Sequence, residues 1–180
     1  NNGQPLSGLD EGFKQFVSGS FISIGGKTPI PNYVWYAAII IVVTWFIWNK
    51  TTFGKNMFAV GSNPEAANVS GVNVAKTTIL VHTLAGAMYG LAGFLLAAKS
   101  GGASVNLGMG YELEAIAACT IGGVSTNGGK GKVDGVFLGF LAMSIITYFI
   151  SLLPGLSVWS DALQGAIIIA AVVMNLYTER

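Results

Sequence analysis

The stretch YVWYAAIIIVVTWFIW, residues 33–48, decides the fold. It contains no Asp, Glu, Lys or Arg. A helix rises about 1.5 Å per residue, so these residues reach about 24 Å, against a hydrocarbon core about 30 Å thick. Pro31, Asn32 and Asn49 therefore fall in the interfaces. Aromatic belts close both ends, with Tyr33, Trp35 and Tyr36 at one and Trp45 and Trp48 at the other. Three more uncharged runs follow at residues 77–98, 135–153 and 162–177. As helices they reach about 33, 28 and 24 Å.

Composition agrees. Nine Lys or Arg and eight Asp or Glu make 9% of the 180 residues, where a soluble domain carries roughly 25%. Hydrophobic residues make 52%. So few charges could hardly cover a soluble globule, and disordered chains and coiled coils are more polar. A net charge of +1 offers no basic surface for nucleic acid. An integral membrane protein remains. The single cysteine, Cys119, lies in an apolar stretch and reads as a packing residue. The polar start at residues 1–12 has no hydrophobic signal region, and the chain lacks an initiator Met. It is expected to belong to a longer polypeptide with spans before Asn1.

A fifth segment, YELEAIAACTIGGVST at residues 111–126, opens with two carboxylates and ends in glycines. It reads as a short or broken crossing or a re-entrant piece, against an interfacial helix as the plainer alternative. The expected fold is all-α, a polytopic transmembrane helix bundle with four clear spans plus one short or broken crossing. If all five segments cross, Lys50, Lys55, Lys76, Lys130, Lys132 and Arg180 share one side, and Lys14, Lys27 and Lys99 the other. The positive-inside rule makes the first side cytoplasmic. Small residues repeat at helical spacing at Gly86, Gly90 and Gly93, at Gly135 and Gly139, and at Ala162 and Ala166. Such faces let helices approach closely in lipid.

The loop at 49–76, NKTTFGKNMFAVGSNPEAANVSGVNVAK, is too long for a tight turn. Asn63 suits an N-cap, Pro64 the first helical position, Glu65 the positive helix start and Gly71 the stop. One exposed helix of about two turns is expected, with a small-residue surface fitted to docking in a groove.

Glu65-Ala66-Ala67 followed by Gly71 resembles the EAA loop of ABC importer permeases. The flanking FGKNMFAVGSNPEAANVSGVNV and YELEAIAACTIGGVSTNGGKGKVDG, and NNGQPL near the start, resemble the monosaccharide branch of that family. Galactose or methylgalactoside permeases come first, with ribose and xylose permeases beside them. The downstream Ile-x-Leu-Pro of the older consensus is missing: the chain reads Val81, His82, Thr83, Leu84. The resemblance implies the C-terminal half of a permease in a bacterial inner membrane, translocating a monosaccharide. It implies coupling to an ABC ATPase through Gly61, Asn63, Glu65, Ala66, Ala67, Ser70 and Gly71. Its implied partners are that ATPase, a periplasmic or lipoprotein sugar-binding protein and a second permease copy. No cofactor is expected on the chain itself, since ATP belongs to the partner.

Enzyme chemistry finds no foothold. GGVSTNGGKGK fails the phosphate-loop pattern, because Val124 stands where its first glycine belongs and Gly131 where Ser or Thr belongs. It reads as a flexible turn with two lysines near headgroups. His82 is the only histidine and builds neither a zinc site nor an acid–base pair alone. Glu112 and Glu114 do not share a helix face; either is an interfacial helix start or a group at a membrane entrance. Candidates for the substrate path are Glu112, Glu114, Thr120, Ser144 and Thr147, with Asn106 and Tyr148 further options. The competing reading is an ion-coupled secondary sugar transporter, which needs a titratable or ion-ligating group at midplane. A plain membrane anchor leaves the helical loop unexplained.

Overall fold

The computed structural model describes residues 6–20, 22–24, 28–152 and 160–178. Lys27 and Arg180 of the charge count, Leu153 at the end of the third run, and most of NNGQPL lie outside them. The order is β1 (Leu6–Ser7), α1 (Glu11–Ser18), β2 (Ile22–Ile24), β3 (Thr28–Ile30), α2 (Asn32–Lys50), α3 (Thr52–Ser62), α4 (Pro64–Val69), α5 (Val74–Ser100), β4 (Gly102–Ala103), α6 (Tyr111–Ile121), α7 (Val133–Leu152) and α8 (Ser160–Thr178). The chain is a helical membrane protein. α2, α5 and α7, with 19, 27 and 20 residues, are long and apolar enough to cross a bilayer. Their side chains face outward, as in Val42 at 64% exposed, which suits helices solvated by lipid. α8 contains a shorter apolar helical stretch, Gly165–Met174.

Two compact units emerge, one from residues 1–44 and 79–109, the other from 45–78 and 110–180. In the first, α1 starts at Asp10, whose carboxylate accepts from Gly12 N–H at 3.0 Å. α1 buries Val17 completely. The Phe16 carbonyl accepts from Asn32 Nδ2 at 3.1 Å and Tyr36 Oη at 2.8 Å, and Phe16 stacks on Tyr36. Phe13 meets Phe94 edge to face at 4.9 Å. β1 pairs antiparallel with β4, and β2 with β3. Strands of two or three residues are too short to leave an alternating pattern, so the all-α expectation passes over them.

The second unit is organised by glycine. α6 and α7 run antiparallel in direct backbone contact. A Cβ on Gly122 would lie 2.5 Å from the Gly135 carbonyl oxygen, and one on Gly139 would strike the Ala118 carbonyl. The Gly135/Gly139 pair is therefore a helix-packing face. Ala117, Ala118 and Met143 form the buried core there, with Ile167 and Ile168 of α8 packed against it. The three glycines Gly86, Gly90 and Gly93 differ: a Cβ at any of them would meet nothing within 4 Å.

Three segments take sharper form in the structure, the first as the short piece expected and the other two differently from expectation. The 111–126 segment is helical only over the 11 residues of α6, about 16 Å, roughly half the hydrocarbon thickness. Gly123, at φ +78°, ends it. Val124 N–H bonds the Cys119 carbonyl and Gly123 N–H that of Thr120, the paired bonds of a Schellman stop. The 49–76 loop holds two helices, α3 and α4, where one is expected. Thr51 caps α3 by accepting from Gly54 N–H at 3.1 Å, and Trp48 packs edge-on against Phe58. Finally, the glycine-rich turn is structured. Ser125, itself buried, accepts from Asn127 and Gly128 N–H and donates its own N–H to the Lys130 carbonyl.

Candidate functional site

α4 is short but fully punctuated. Asn63 Oδ1 accepts from Ala66 N–H at 3.0 Å, and the Asn63 carbonyl accepts from Ala67 N–H at 3.0 Å. Pro64 takes the first turn, where its missing N–H costs nothing, and Glu65 follows it. Gly71 stands at φ +84°. Gly71 N–H bonds the Asn68 carbonyl and Val72 N–H that of Ala67, both at 3.0 Å. That pair is a second Schellman stop. Ser70 donates back to the Ala66 carbonyl at 2.8 Å.

With both ends satisfied, six residues hold a helix that length alone would not sustain. Ala67 is its buried face, while Glu65, Ala66, Asn68 and Ser70 are exposed. Val69 is 89% exposed. An aliphatic side chain so bare, on a helix whose other exposed residues are small or polar, is the feature the sequence reading passes over. Periodicity could have flagged it, since Val69 is the only large apolar residue of α4. Pro64, Glu65, Asn68, Gly71 and Val72 border a groove of about 580 Å³. Gly61 lies one turn earlier, in the last turn of α3.

The path candidates divide. Glu114 on α6 and Ser144 and Thr147 on α7 line one cavity of about 340 Å³, together with Phe140, Met143, Tyr148 and Ser151. The register explains the meeting. Gly122 faces Gly135 and Ala118 faces Gly139, so one further turn along both helices brings Glu114 to Met143. Positions 144, 147, 148 and 151 share a face of α7 by their three- and four-residue spacing. That face is a column of hydroxyls in an otherwise apolar helix. Ser151 Oγ donates to the Tyr148 carbonyl at 2.7 Å. A volume near 340 Å³ sits at the small end of ligand pockets, which span about 300–1,000 Å³.

Glu112 and Thr120 are not among the residues lining it. Glu112 Oε2 accepts from Gly110 N–H at 3.0 Å and so closes the start of its own helix. Thr120, buried, donates to the Ile116 carbonyl at 2.8 Å. Asn106 belongs to the other unit. Phe140, Met143 and Ser151 are the cavity residues absent from the sequence reading.

Membrane-length helices, a hydroxyl-lined cavity and an exposed loop helix are the features that the comparison with known proteins has to account for. The chain belongs to the permease family described as the branched-chain amino acid transport system / permease component, which matches residues 3–172. It is 44% identical over 171 residues to the galactose/methyl galactoside import permease protein MglC of Escherichia coli (strain K12), covering 95% of this chain and 50% of that one. It is 34% identical over 176 residues to the ribose import permease protein RbsC of Bacillus subtilis (strain 168), covering 97% and 53%. It is 36% identical over 160 residues to the xylose transport system permease protein XylH of Haemophilus influenzae, covering 89% and 43%. The chain spans about half the length of the curated relatives it matches. No solved structure matches it.

Proposed function

We propose that these residues form the C-terminal half of the permease subunit of an ATP-driven monosaccharide importer in a bacterial inner membrane. Galactose or a methyl galactoside is the favoured cargo, because the relatives at 44% identity are named for it. The subunit carries no ATPase chemistry of its own. An ABC ATPase docks on α4, a sugar-binding protein delivers cargo from the other side, and a second permease copy completes the pathway.

The carrying observation is α4 itself. A helix capped at both ends, presenting Val69 at 89% exposure, is built to be covered by a partner. An exposed aliphatic side chain on a short helix of small residues can seat in a partner's groove and be desolvated there. ATP can drive transport only if outward- and inward-facing states bind the ATPase differently, and a rigid loop helix provides such a handle. The cavity between α6 and α7 supports a sugar as cargo. Hydroxyls of Ser144, Thr147, Tyr148 and Ser151 and the Glu114 carboxylate can exchange hydrogen bonds with sugar hydroxyls, while Phe140 and Tyr148 offer ring faces.

Uptake in sealed vesicles tests the reading. Sugar should accumulate only with ATP and the partner ATPase present. Accumulation that follows a sodium or proton gradient without the ATPase would instead establish the ion-coupled mechanism.

A further inference from the structure

Asn63 belongs to two helices at once. Its N–H closes α3 on the Ala59 carbonyl at 3.0 Å, while its side chain opens α4. No free linker residue separates them, so α4 cannot tilt without moving the end of α3. That end rests on the glycine turn before α7, backbone against backbone. A Cβ on Gly61 would lie 2.8 Å from Gly129 N. One on Gly128 would lie 2.7 Å from the Gly61 carbonyl oxygen, and one on Gly129 would lie 2.5 Å from Ser62 Cα. Gly128 and Gly129 also hold φ of +91° and +71°, the left-handed region that favours glycine.

The turn is no loose strap. Ser125 closes it on Lys130 at 3.0 Å, and it enters α7 at Val133, which is buried. α7 is in turn locked to α6 through Gly135 and Gly139. Close-packed backbone has no rotamers with which to absorb a displacement.

We propose that Gly61, Gly128 and Gly129 are positioning residues forming a clasp, through which displacement of α4 is passed to the α6–α7 pair and hence to the cavity of Glu114, Ser144 and Thr147. The clasp rests on the docking reading of α4. It adds that the docking helix is wired to the glycine turn as well as to the spans that flank it in sequence. Gly61 is the cleanest position to examine. Its φ is not left-handed and it sits in a helix, where alanine is intrinsically the better residue. Loss of coupling in Gly61→Ala therefore cannot be ascribed to a weakened α3. Gly123→Ala is the control: it carries a φ penalty that Gly61→Ala lacks, at +78°, but its Cβ meets nothing within 4 Å, so it strains the backbone without opening a packed contact.

The test uses the complete transporter reconstituted in lipid. Three quantities are read: ATPase retained on purification, basal ATP hydrolysis, and its stimulation by sugar-loaded binding protein. Gly61→Ala should retain the ATPase and its basal rate while stimulation and uptake fall at least tenfold. Gly123→Ala should keep both within about twofold of the unaltered protein. Stimulation and uptake at the unaltered level in Gly61→Ala would overturn the clasp. Failure of the unaltered permease to hold any ATPase would instead overturn the docking reading.

Hydrogen exchange on the unaltered complex decides the matter if Gly61→Ala does not assemble. Nucleotide binding should change protection at residues 64–72 and at 125–132 together; a change confined to 64–72 overturns the clasp.

Discussion

At the scale of single residues, the distinction that matters is why a glycine is glycine. Gly71 has open space around it but a φ of +84°. The size of a replacement is therefore secondary and its tolerance of left-handed backbone is primary. Gly71→Ala and Gly71→Leu should weaken retention of the ATPase to a similar degree, because an ordinary residue in that region costs roughly 1–2 kcal/mol, or about tenfold in an equilibrium. Gly71→Asn should lose less. A graded loss from Ala to Leu, measured by quantitative co-purification, would show that the space around residue 71 is filled by a partner and that the φ argument is secondary.

Val69→Asp should also lower retention about tenfold, as truncation of a central docking anchor does, with uptake falling in parallel. Within the cavity, Glu114→Gln and Ser144→Ala should reduce sugar uptake while leaving ATPase retention unchanged. Thr120→Val should do neither, since its hydroxyl is spent on the Ile116 carbonyl of its own helix. An uptake defect in Thr120→Val matching that of Ser144→Ala would mean the path runs through the α6 interior instead.

At the scale of elements, what the sequence reveals follows the range of the forces involved. α4 is legible residue by residue, since capping by Asn63, the proline start and the glycine stop act within one turn of chain. α3 is hidden by Gly54 and Gly61, which lower helix propensity. In the fold both are set by contact: Gly54 is buried where the chain turns out of α2, and Gly61 lies on the glycine turn. The shortness of α6 is visible only in its terminal glycines. The sequence offers four of the cavity's residues as candidates but not their meeting. Ser144 and Thr147 are ordinary polar residues of an apolar run until the α6–α7 register places Glu114 beside them.

The same register makes Gly139 a structural requirement, since a side chain there would enter the Ala118 carbonyl. Gly139→Leu should severely destabilise the folded subunit, with a diminished size-exclusion peak and a lowered unfolding midpoint in detergent for what remains folded. Asn63→Ala should cost only about 1 kcal/mol of helix stability and leave that midpoint in place while docking weakens a few-fold. The pair separates elements that hold the bundle from one that is displayed by it.

At the scale of the whole molecule, the lysines of α5 bear on which membrane face carries α4. Lys76 and Lys99 stand near opposite ends of this 27-residue helix. The helical rise between them is about 35 Å, more than the roughly 30 Å hydrocarbon core. If α5 crosses, the two lysines occupy opposite interfaces. Lys99 lies over the Tyr33 ring at 5.2 Å, at the start of α2, and Lys50 over the Trp45 ring at 5.6 Å, at its end. Paired cations and aromatics of this kind are what an interface stabilises. Residues 33 and 99 therefore share one side, and 50, 55 and 76, with the docking helix among them, the other. If the 111–126 segment also completes a crossing, the six-to-three lysine and arginine split makes that second side cytoplasmic, where an ATPase could reach it. On a Cys119→Ala background, cysteines at positions 55 and 76 should resist an impermeant thiol reagent in intact cells and react after permeabilisation, whereas one at 99 should react in both. Labelling of position 55 or 76 from outside would put α4 on the face without ATP, and no docking of an ATPase there could drive transport.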